Sequence, residues 1–338
     1  MSDSAKPFTV SLQPSGHQFS VDASTTLLQA ALDAGFTLPY GCRNGACGSC
    51  KASIKSGEVD HGKSLESALP STERAAGKAL LCCATARSDM SIECREVSAN
   101  KDIPLRILPC RVHSLERKAA DVIVMKLKLP ANERLQFLAG QYIEFMLKEG
   151  KRRAFSLANA PHDDEFLQLH IRHVADGQFT GHVFNGMKEK DILRLQGPMG
   201  SFFLREESVK PMILLAGGTG FAPIKAIVEH AIHSGITRPI TIYWGSRDRA
   251  GLYLNELPEA WASEHAHIRY VPVLSDEVWA GRAGLVHRAV LEDHPDLSAF
   301  QVYACGAPAM IDAARADFAA AGLPEEEFFA DSFTFAPT

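Results

Sequence analysis

No stretch of the 338-residue sequence is apolar for long enough to cross a bilayer. Continuous hydrophobic runs such as Met212 to Ala216 are short, whereas a spanning helix needs about 20 such residues. The opening segment, Met1 to Lys6, is short and polar and lacks the hydrophobic heart of an export signal. There is no surplus of positive charge: 35 Lys and Arg against 40 Asp and Glu leave a net charge of −5. That balance argues against nucleic acid or an anionic membrane as a partner. Neither an internal repeat nor a low-complexity tract is visible, and the composition is that of an ordinary globular protein. The length points to two or three domains. Eight cysteines without an export signal are expected to be reduced thiols and ligands, not disulfides, in a cytoplasmic protein.

The cysteines are concentrated in one place. Cys42, Cys47 and Cys50 follow C-x4-C-x2-C spacing in a loop that also holds Gly41, Gly45 and Gly48, and Cys82 lies further on in Leu80-Leu81-Cys82-Cys83. This spacing is that of a 2Fe–2S loop, in which three ligands come from one segment and the fold brings in a fourth. The three glycines are expected to take positive φ and turn N–H groups toward an anionic cluster. Zinc or a disulfide would also use cysteines, but zinc ribbons favour two C-x2-C pairs, and the second half of the motif offers only adjacent thiols. The segment from Tyr40 to Cys50, with Leu80 to Cys82, resembles the plant-type ferredoxin family. That resemblance implies Cys42, Cys47, Cys50 and Cys82 as cluster ligands. The Cys50–Cys82 separation is slightly long for the family, which leaves Cys83 as the alternative fourth ligand.

Read in order, Phe8 to Leu12 and Gln18 to Val21 are strand-like and joined by the turn residues Pro14-Ser15-Gly16. Ser24 or Thr25 is expected to cap a helix running to Ala34, with Gly35 as its stop. Ala52 to Glu58 and Met90 to Cys94 complete a small sheet, and residues 96–104 read as a polar linker after a first domain, 1–95. Five strand-like segments separated by turn residues follow, Pro109 to Glu116, Val122 to Leu129, Gln141 to Leu147, Arg153 to Ala158 and Phe166 to His173, as in a small antiparallel barrel. A helical stretch from Thr180 to Met187 and a strand from Ile192 to Gln196 close this domain, 105–207. From residue 208 strands alternate with helices: Met212 to Ala216, a helix from about Ala222 to His233, Ile240 to Trp244, Ile268 to Val273, Gln301 to Ala304, a helix over Ala307 to Ala321, and a last strand at Phe328 to Phe333. Such alternation implies a doubly wound parallel sheet over 208–338.

Arg153-Ala154-Phe155-Ser156, Ile171-Arg172-His173-Val174 with Gly177 and Thr180, and Gly197-Pro198-Met199-Gly200-Ser201-Phe202 together resemble the flavin-binding motifs of the ferredoxin–NADP reductase superfamily. The resemblance implies that Arg153 pairs with the FAD pyrophosphate, Phe155 packs on the flavin ring and Ser156 hydrogen-bonds flavin N5. It also implies that Arg172, Gly177 and Thr180 carry the pyrophosphate onto a helix start. His173 reads as a neighbour of this surface, not as a catalyst.

Gly217-Gly218-Thr219-Gly220 lies between a buried strand and a helix whose start offers free N–H groups, with Pro223 in its first turn. It is not G-x-G-x-x-G. With Tyr303-Ala304-Cys305-Gly306-Ala307-Pro308, it resembles the pair of segments that flank the nicotinamide nucleotide in the same superfamily. Cys305 would then lie near the reacting nicotinamide carbon; a buried structural thiol is the other reading. Ser246 and Arg247 end the second strand beside Asp248, so both an acid for ribose hydroxyls and an arginine for a 2′-phosphate are present. NADH is expected because the overall resemblance is to NADH-using reductases. Phe329 and Phe333 either shield the flavin or simply pack.

The whole pattern therefore reads as a multidomain α+β and α/β chain: a β-grasp ferredoxin, an antiparallel β-barrel flavin domain and a doubly wound nucleotide domain. Pro109 to Val112, Leu138 to Ile143, Ser156 to Pro161 and Phe328 to Asp331 add a likeness to reductases that serve a CDP-sugar 3-dehydrase. The resemblance implies electron flow from NADH through FAD and a 2Fe–2S cluster to a partner protein, either such a dehydrase or an oxygenase of the Rieske or di-iron type. A non-enzymatic iron–sulfur carrier or sensor is the reading of another class, and the intact flavin and nucleotide motifs speak against it. Residues 1–95 carry nine basic and nine acidic side chains, so long-range charge steering is not expected there. Arg43 and Asn44 are expected to project toward the partner.

Overall fold

A computed structural model of the chain describes residues 7–97 and 103–334. The start Met1 to Lys6 and part of the expected linker at 96–104 lie outside the described residues. Two compact units separate near Pro104, the larger being Leu105–Phe333.

The smaller unit contains β1 (Phe8–Gln13), β2 (Gln18–Val21), α1 (Leu27–Asp33), β3 (Lys51–Ser56), β4 (Val59–Asp60), α2 (Ser71–Ala75), β5 (Lys78–Leu80), β6 (Thr85–Ala86) and β7 (Met90–Glu93). β1 and β2 form the expected hairpin, and β1 then pairs in parallel with β7, giving the sheet order β2-β1-β7-β3-β5. Val10 and Leu12 point inward by the two-residue period of a strand. Against them α1 buries Leu27, Leu28, Ala30 and Ala31. Its cap is not Ser24 or Thr25. Thr26 accepts from the Gln29 N–H, because the Leu27 N–H is bonded to the Ala84 carbonyl and fixes where the helix begins. Gly35, at φ +83°, ends it.

The larger unit begins with β8 (Arg106–Ala119), β9 (Val122–Lys128), β10 (Tyr142–Met146), β11 (Arg152–Ser156), β12 (Leu167–Arg172), α3 (Gln178–Asn185) and β13 (Ile192–Met199). Their sheet order is β11-β10-β13-β8-β9-β12. The Leu157–Leu169 bridge joins its two edges, so it closes into a barrel. It continues with β14 (Met212–Gly217), α4 (Phe221–His233), β15 (Ile240–Ser246), α5 (Glu256–Glu264), β16 (Ile268–Leu274), β17 (Arg282–Ala283), α6 (Val286–Asp293), β18 (Gln301–Gly306), α7 (Pro308–Ala320) and β19 (Phe328–Ser332). These strands form one parallel sheet, β17-β16-β15-β14-β18-β19. β14 is buried over its length up to Ala216 and sits mid-sheet, which is why its sequence is continuously apolar and not alternating.

Barrel and parallel sheet share a core. Val122 and Val124 of β9 belong to the same buried cluster as Phe221, Ile224 and Trp244. The Phe221 and Trp244 rings stack at 3.9 Å between centroids. A second link is polar: buried His170 of β12 meets the Tyr253 hydroxyl at 2.9 Å, and burial drives its pKa down to about 3, so this imidazole is neutral. Lys225 of α4 donates to the Ala158 carbonyl at 3.1 Å and pairs with Glu229 at 2.7 Å. Phe221→Ala should therefore lower unfolding stability by about 3–5 kcal/mol. The barrel and the sheet should still melt in one transition, measurable by calorimetry.

Candidate functional site

In the smaller unit the ligand loop is shaped by crowding as much as by turn geometry. Gly45 and Gly48 adopt φ +81° and +74° as expected. Gly41 does not adopt positive φ; the left-handed residue is Arg43, at φ +60°. What Gly41 supplies is space, since a Cβ there would lie 3.2 Å from Ser49 Oγ and 3.3 Å from Cys47 Sγ. Gly45 is constrained both ways, because a Cβ would come within 2.7 Å of Cys83 Sγ and 3.2 Å of the Lys63 carbonyl.

The thiols fall into two pairs. The Cys42 N–H points to Cys47 Sγ at 3.4 Å, and the hydrogen bond between these thiols holds Cys42 down to about 6 while pushing Cys47 up. Hydrogen bonding with Cys50 likewise pushes Cys82 up to about 12. Among the described residues no three His, Cys, Asp or Glu side chains gather around one point as a single metal ion would require. Two thiol pairs would suit two irons, and in that respect the residues fit a 2Fe–2S group. Cys83 stands 3.7 Å from Cys82 and its thiol fills the space behind Gly45. It is half-buried. Arg43 is no free rim charge: its guanidinium is half-buried and donates to Gln29 Oε1 at 2.6 Å. The Asn44 Oδ1 atom is buried.

In the larger unit the two glycine-bearing segments interlock. A Cβ on Gly220 would lie 2.0 Å from the Cys305 carbonyl oxygen, and one on Gly217 would lie 2.6 Å from Met310 Sδ. Gly218, at φ +54°, lies beneath the Arg172 guanidinium, with Arg172 Nη1 3.0 Å from where its Cβ would be. Arg172 also pairs with Asp121 at 3.4 Å. A cation thus stands over the glycine turn. Thr219 is buried in this turn, and Trp244 Nε1 donates to the Gly218 carbonyl at 2.9 Å. Gly306, at φ +154°, packs its Cα side on Gly217.

Ser156 and Cys305 are brought to one place by a residue the sequence reading overlooked. Asp331 of β19 accepts a 3.1 Å hydrogen bond from Ser156 Oγ of the barrel and is in register with Cys305 on β18. Burial raises the Asp331 carboxyl to about 6, with the Ser156 bond opposing the shift. Burial, then the Asp331 charge, raises the Cys305 thiol well above its usual range. Asp331 went unseen because only the parallel β18–β19 register places it there.

Other expected residues behave more locally. Arg153 donates to the Arg152 carbonyl at 2.8 Å. Phe155 is half-buried and leans on Phe145 and Phe179. Gly177 leaves no room for a side chain beside Thr180, and the Thr180 hydroxyl braces the turn by accepting from the Val174 N–H at 3.1 Å. Ser246 Oγ turns toward Gly251, Arg247 is exposed, and Asp248 is used as a cap for the Gly251 N–H. Phe329 packs on Tyr303 and beside Arg205, and Phe333 packs against the core.

Two outcomes follow from this geometry. Cys82→Ser should lose iron on purification while Cys83→Ser retains it, because only Cys82 pairs with Cys50; iron analysis of each variant decides. For Asp331 the folded pKa lies above the unfolded value, so its burial costs nothing below about pH 4 and costs progressively more as pH rises toward about 6. Asp331→Asn should accordingly gain stability relative to the wild type between pH 4 and 7, by about 3 kcal/mol at most. A stability difference that does not vary with pH would remove the assignment.

The 2Fe-2S iron-sulfur cluster binding domain matches residues 10–87, the oxidoreductase FAD-binding domain residues 109–204 and the oxidoreductase NAD-binding domain residues 214–316. CDP-6-deoxy-L-threo-D-glycero-4-hexulose-3-dehydrase reductase of Yersinia pseudotuberculosis is 44% identical over 326 residues, covering 96% of this chain and 98% of its own. Terephthalate 1,2-dioxygenase reductase component 1 of Comamonas sp. is 35% identical and covers 93% of each chain. The crystal structure of an Amycolatopsis cytochrome P450 reductase superposes with a TM-score of 0.78 at 36% identity, over 96% of this chain and 98% of its own. The paired thiols, the interlocked glycine segments and these matches lead to one conclusion: the chain belongs to the family of iron–sulfur flavoprotein reductases, NADH-dependent enzymes that join 2Fe-2S, FAD and NAD domains in one polypeptide and that include CDP-6-deoxy-L-threo-D-glycero-4-hexulose-3-dehydrase reductase.

Proposed function

We propose that the protein is the electron-donating partner of a CDP-sugar 3-dehydrase, working through domains at 1–95, 105–207 and 208–338 joined by a linker at 96–104. The observation that carries the choice of partner is full-length similarity at 44% to a reductase named for that dehydrase, against 35% to a dioxygenase reductase. Cys42 with Cys47 and Cys50 with Cys82 hold the cluster. Arg153, Phe155, Ser156, Arg172, Gly177 and Thr180 hold FAD, while Gly217 to Gly220, Ser246, Arg247, Cys305 and Gly306 receive NADH. The FAD that these residues would hold would supply the exchange between the paired electrons of NADH and the single electrons of a 2Fe–2S group.

The chain's own part is to place and shield. Gly220 lets the glycine turn approach the Cys305 carbonyl, which brings the turn before α4 against the end of β18. Arg172 adds a positive charge above that turn. Ser156 Oγ and Asp331 share a proton-holding hydrogen bond inside a buried pocket of structure, with water kept from both. None of the eight cysteines is joined in a disulfide, which suits a reducing, cytoplasmic setting. Among the described residues no helix is long and apolar enough to cross a membrane.

The test is reconstitution with a CDP-6-deoxy-L-threo-D-glycero-4-hexulose 3-dehydrase. NADH consumption by the mixture should require the CDP-hexulose and both proteins, and the sugar product should lack its 3-hydroxyl. No sugar turnover, combined with native co-purification of an oxygenase component that the protein reduces, would reassign the partner.

A further inference from the structure

The smaller unit carries a cleft that neither cofactor nor ligand loop accounts for. It encloses about 230 Å³ between β3, β5 and the segment after β4. Its polar lining is basic: Lys55, His61, Arg74 and Lys78 face it, and no acidic residue does. Three carboxylates lie outside the rim, and one of them, Asp60 beside His61, is paired with Arg87 at 2.6 Å. Glu93 pairs with Lys55 at 2.7 Å, and Glu66 reaches Arg74 only at 3.8 Å. Lys78 makes no ion pair within 4.0 Å among the described residues, and Glu93 feels it only through space. The His61 Nδ1 atom is buried without a hydrogen-bond partner. A shielded, unpartnered ring nitrogen beside cations is costly unless something completes it. Burial, then the Arg74 charge, lowers the His61 pKa, against the opposing pull of the Asp60 carboxylate.

The cleft is coupled to the cluster loop. Arg74 donates from Nη2 to the Ser64 carbonyl at 3.0 Å and from Nε to the Leu69 carbonyl at 3.1 Å, so the segment just beyond His61 is fixed by a cleft residue. That same segment backs the ligand loop: the Leu65 N–H donates to the Gly45 carbonyl at 3.1 Å, and a Cβ on Gly62 would lie 2.4 Å from the Cys83 carbonyl. An occupant of the cleft is therefore one loop away from the thiols.

We infer that this cleft is the docking point for a carboxylate side chain of an acidic partner protein, which it seats next to the cluster loop. The inference rests on the reading that the cluster passes electrons to a partner. The cleft admits a carboxylate with room for water beside it, and the donors present (two ammonium groups and a guanidinium) match its lone pairs. A local anchor also suits a unit of balanced charge, because specificity then comes from one complementary contact and not from a long-range field.

The test uses the holoprotein and fluorescein-labelled hexaglutamate, followed by anisotropy at low salt. Lys55→Gln/Lys78→Gln should weaken hexaglutamate binding about fivefold, whereas Lys63→Gln, outside the cleft, should not. NADH-driven ferricyanide reduction should be unchanged in both variants, and reduction of the dehydrase should slow only in the double variant. Equal weakening by Lys63→Gln would overturn the inference, as would displacement of the peptide by inorganic phosphate at concentrations at which free glutamate has no effect, which would mark a site for a free anion. A double variant that reduces the dehydrase at the wild-type rate ends the docking inference while leaving the proposed function intact. A wild-type protein that cannot reduce the dehydrase, yet still binds hexaglutamate through the cleft, separates failure of the functional reading from failure of the anion site.

Discussion

The approach of Gly220 to the Cys305 carbonyl, where a Cβ would come within 2.0 Å, is the contact on which the larger unit turns. It presses the turn after β14 against the end of β18, and no other residue type would allow that distance. Because β14 and β18 are neighbours in the middle of a parallel sheet, with the chain running outward from β14 in both directions, this is also its topological switch point. Met310 and Gly306 close the contact from the α7 side, and Arg172 closes it from the barrel. A backbone-to-backbone fit of this kind cannot be repaired by a side-chain rotation, so errors elsewhere in the unit are felt there.

What keeps the barrel in place for that fit is a core that does not stop at the domain boundary. β9 residues pack with Phe221 and Trp244, while Lys225 grips the chain just beyond Ser156 through the Ala158 carbonyl. Lys225 is itself buried and relies on Glu229, whose carboxyl is raised by burial. Such a pair adds little net stability but is strongly directional. Its consequence is positional, because it fixes the segment that carries the Ser156 hydroxyl to the helix that begins at the glycine turn. The Ser156–Asp331 bond then completes the link across barrel and sheet.

The smaller unit solves a different problem, the gathering of four thiols whose mutual repulsion as thiolates would open the loop. It does so by crowding. Glycines at 41 and 45 let Cys47, Ser49 and Cys83 approach the backbone, and Arg43 accepts left-handed geometry while bonded to Gln29 of α1. The loop is thereby bound to the helix on one side and, through Arg74 and Ser64, to the basic cleft on the other.

By itself the sequence determined the three-part architecture, the ligand loop and the two nucleotide segments. Each is written in local signals: C-x4-C-x2-C spacing, glycines where the backbone must turn or come close, and a switch from two-residue to alternating strand–helix patterning. Strand and helix bounds were legible to within a few residues for the same reason. Only the tertiary structure decided the pairing of Cys42 with Cys47 and of Cys50 with Cys82, the role of Gly41 as a gap and not a turn, and the tying of Arg43 to Gln29. It alone set Asp331 against Ser156, 175 positions away, and left Lys78 and His61 in a cleft without a carboxylate. These depend on parallel register, on which strands are neighbours and on what fills the space behind a glycine. No local pattern encodes those relations, because they arise only when distant segments compete for the same volume.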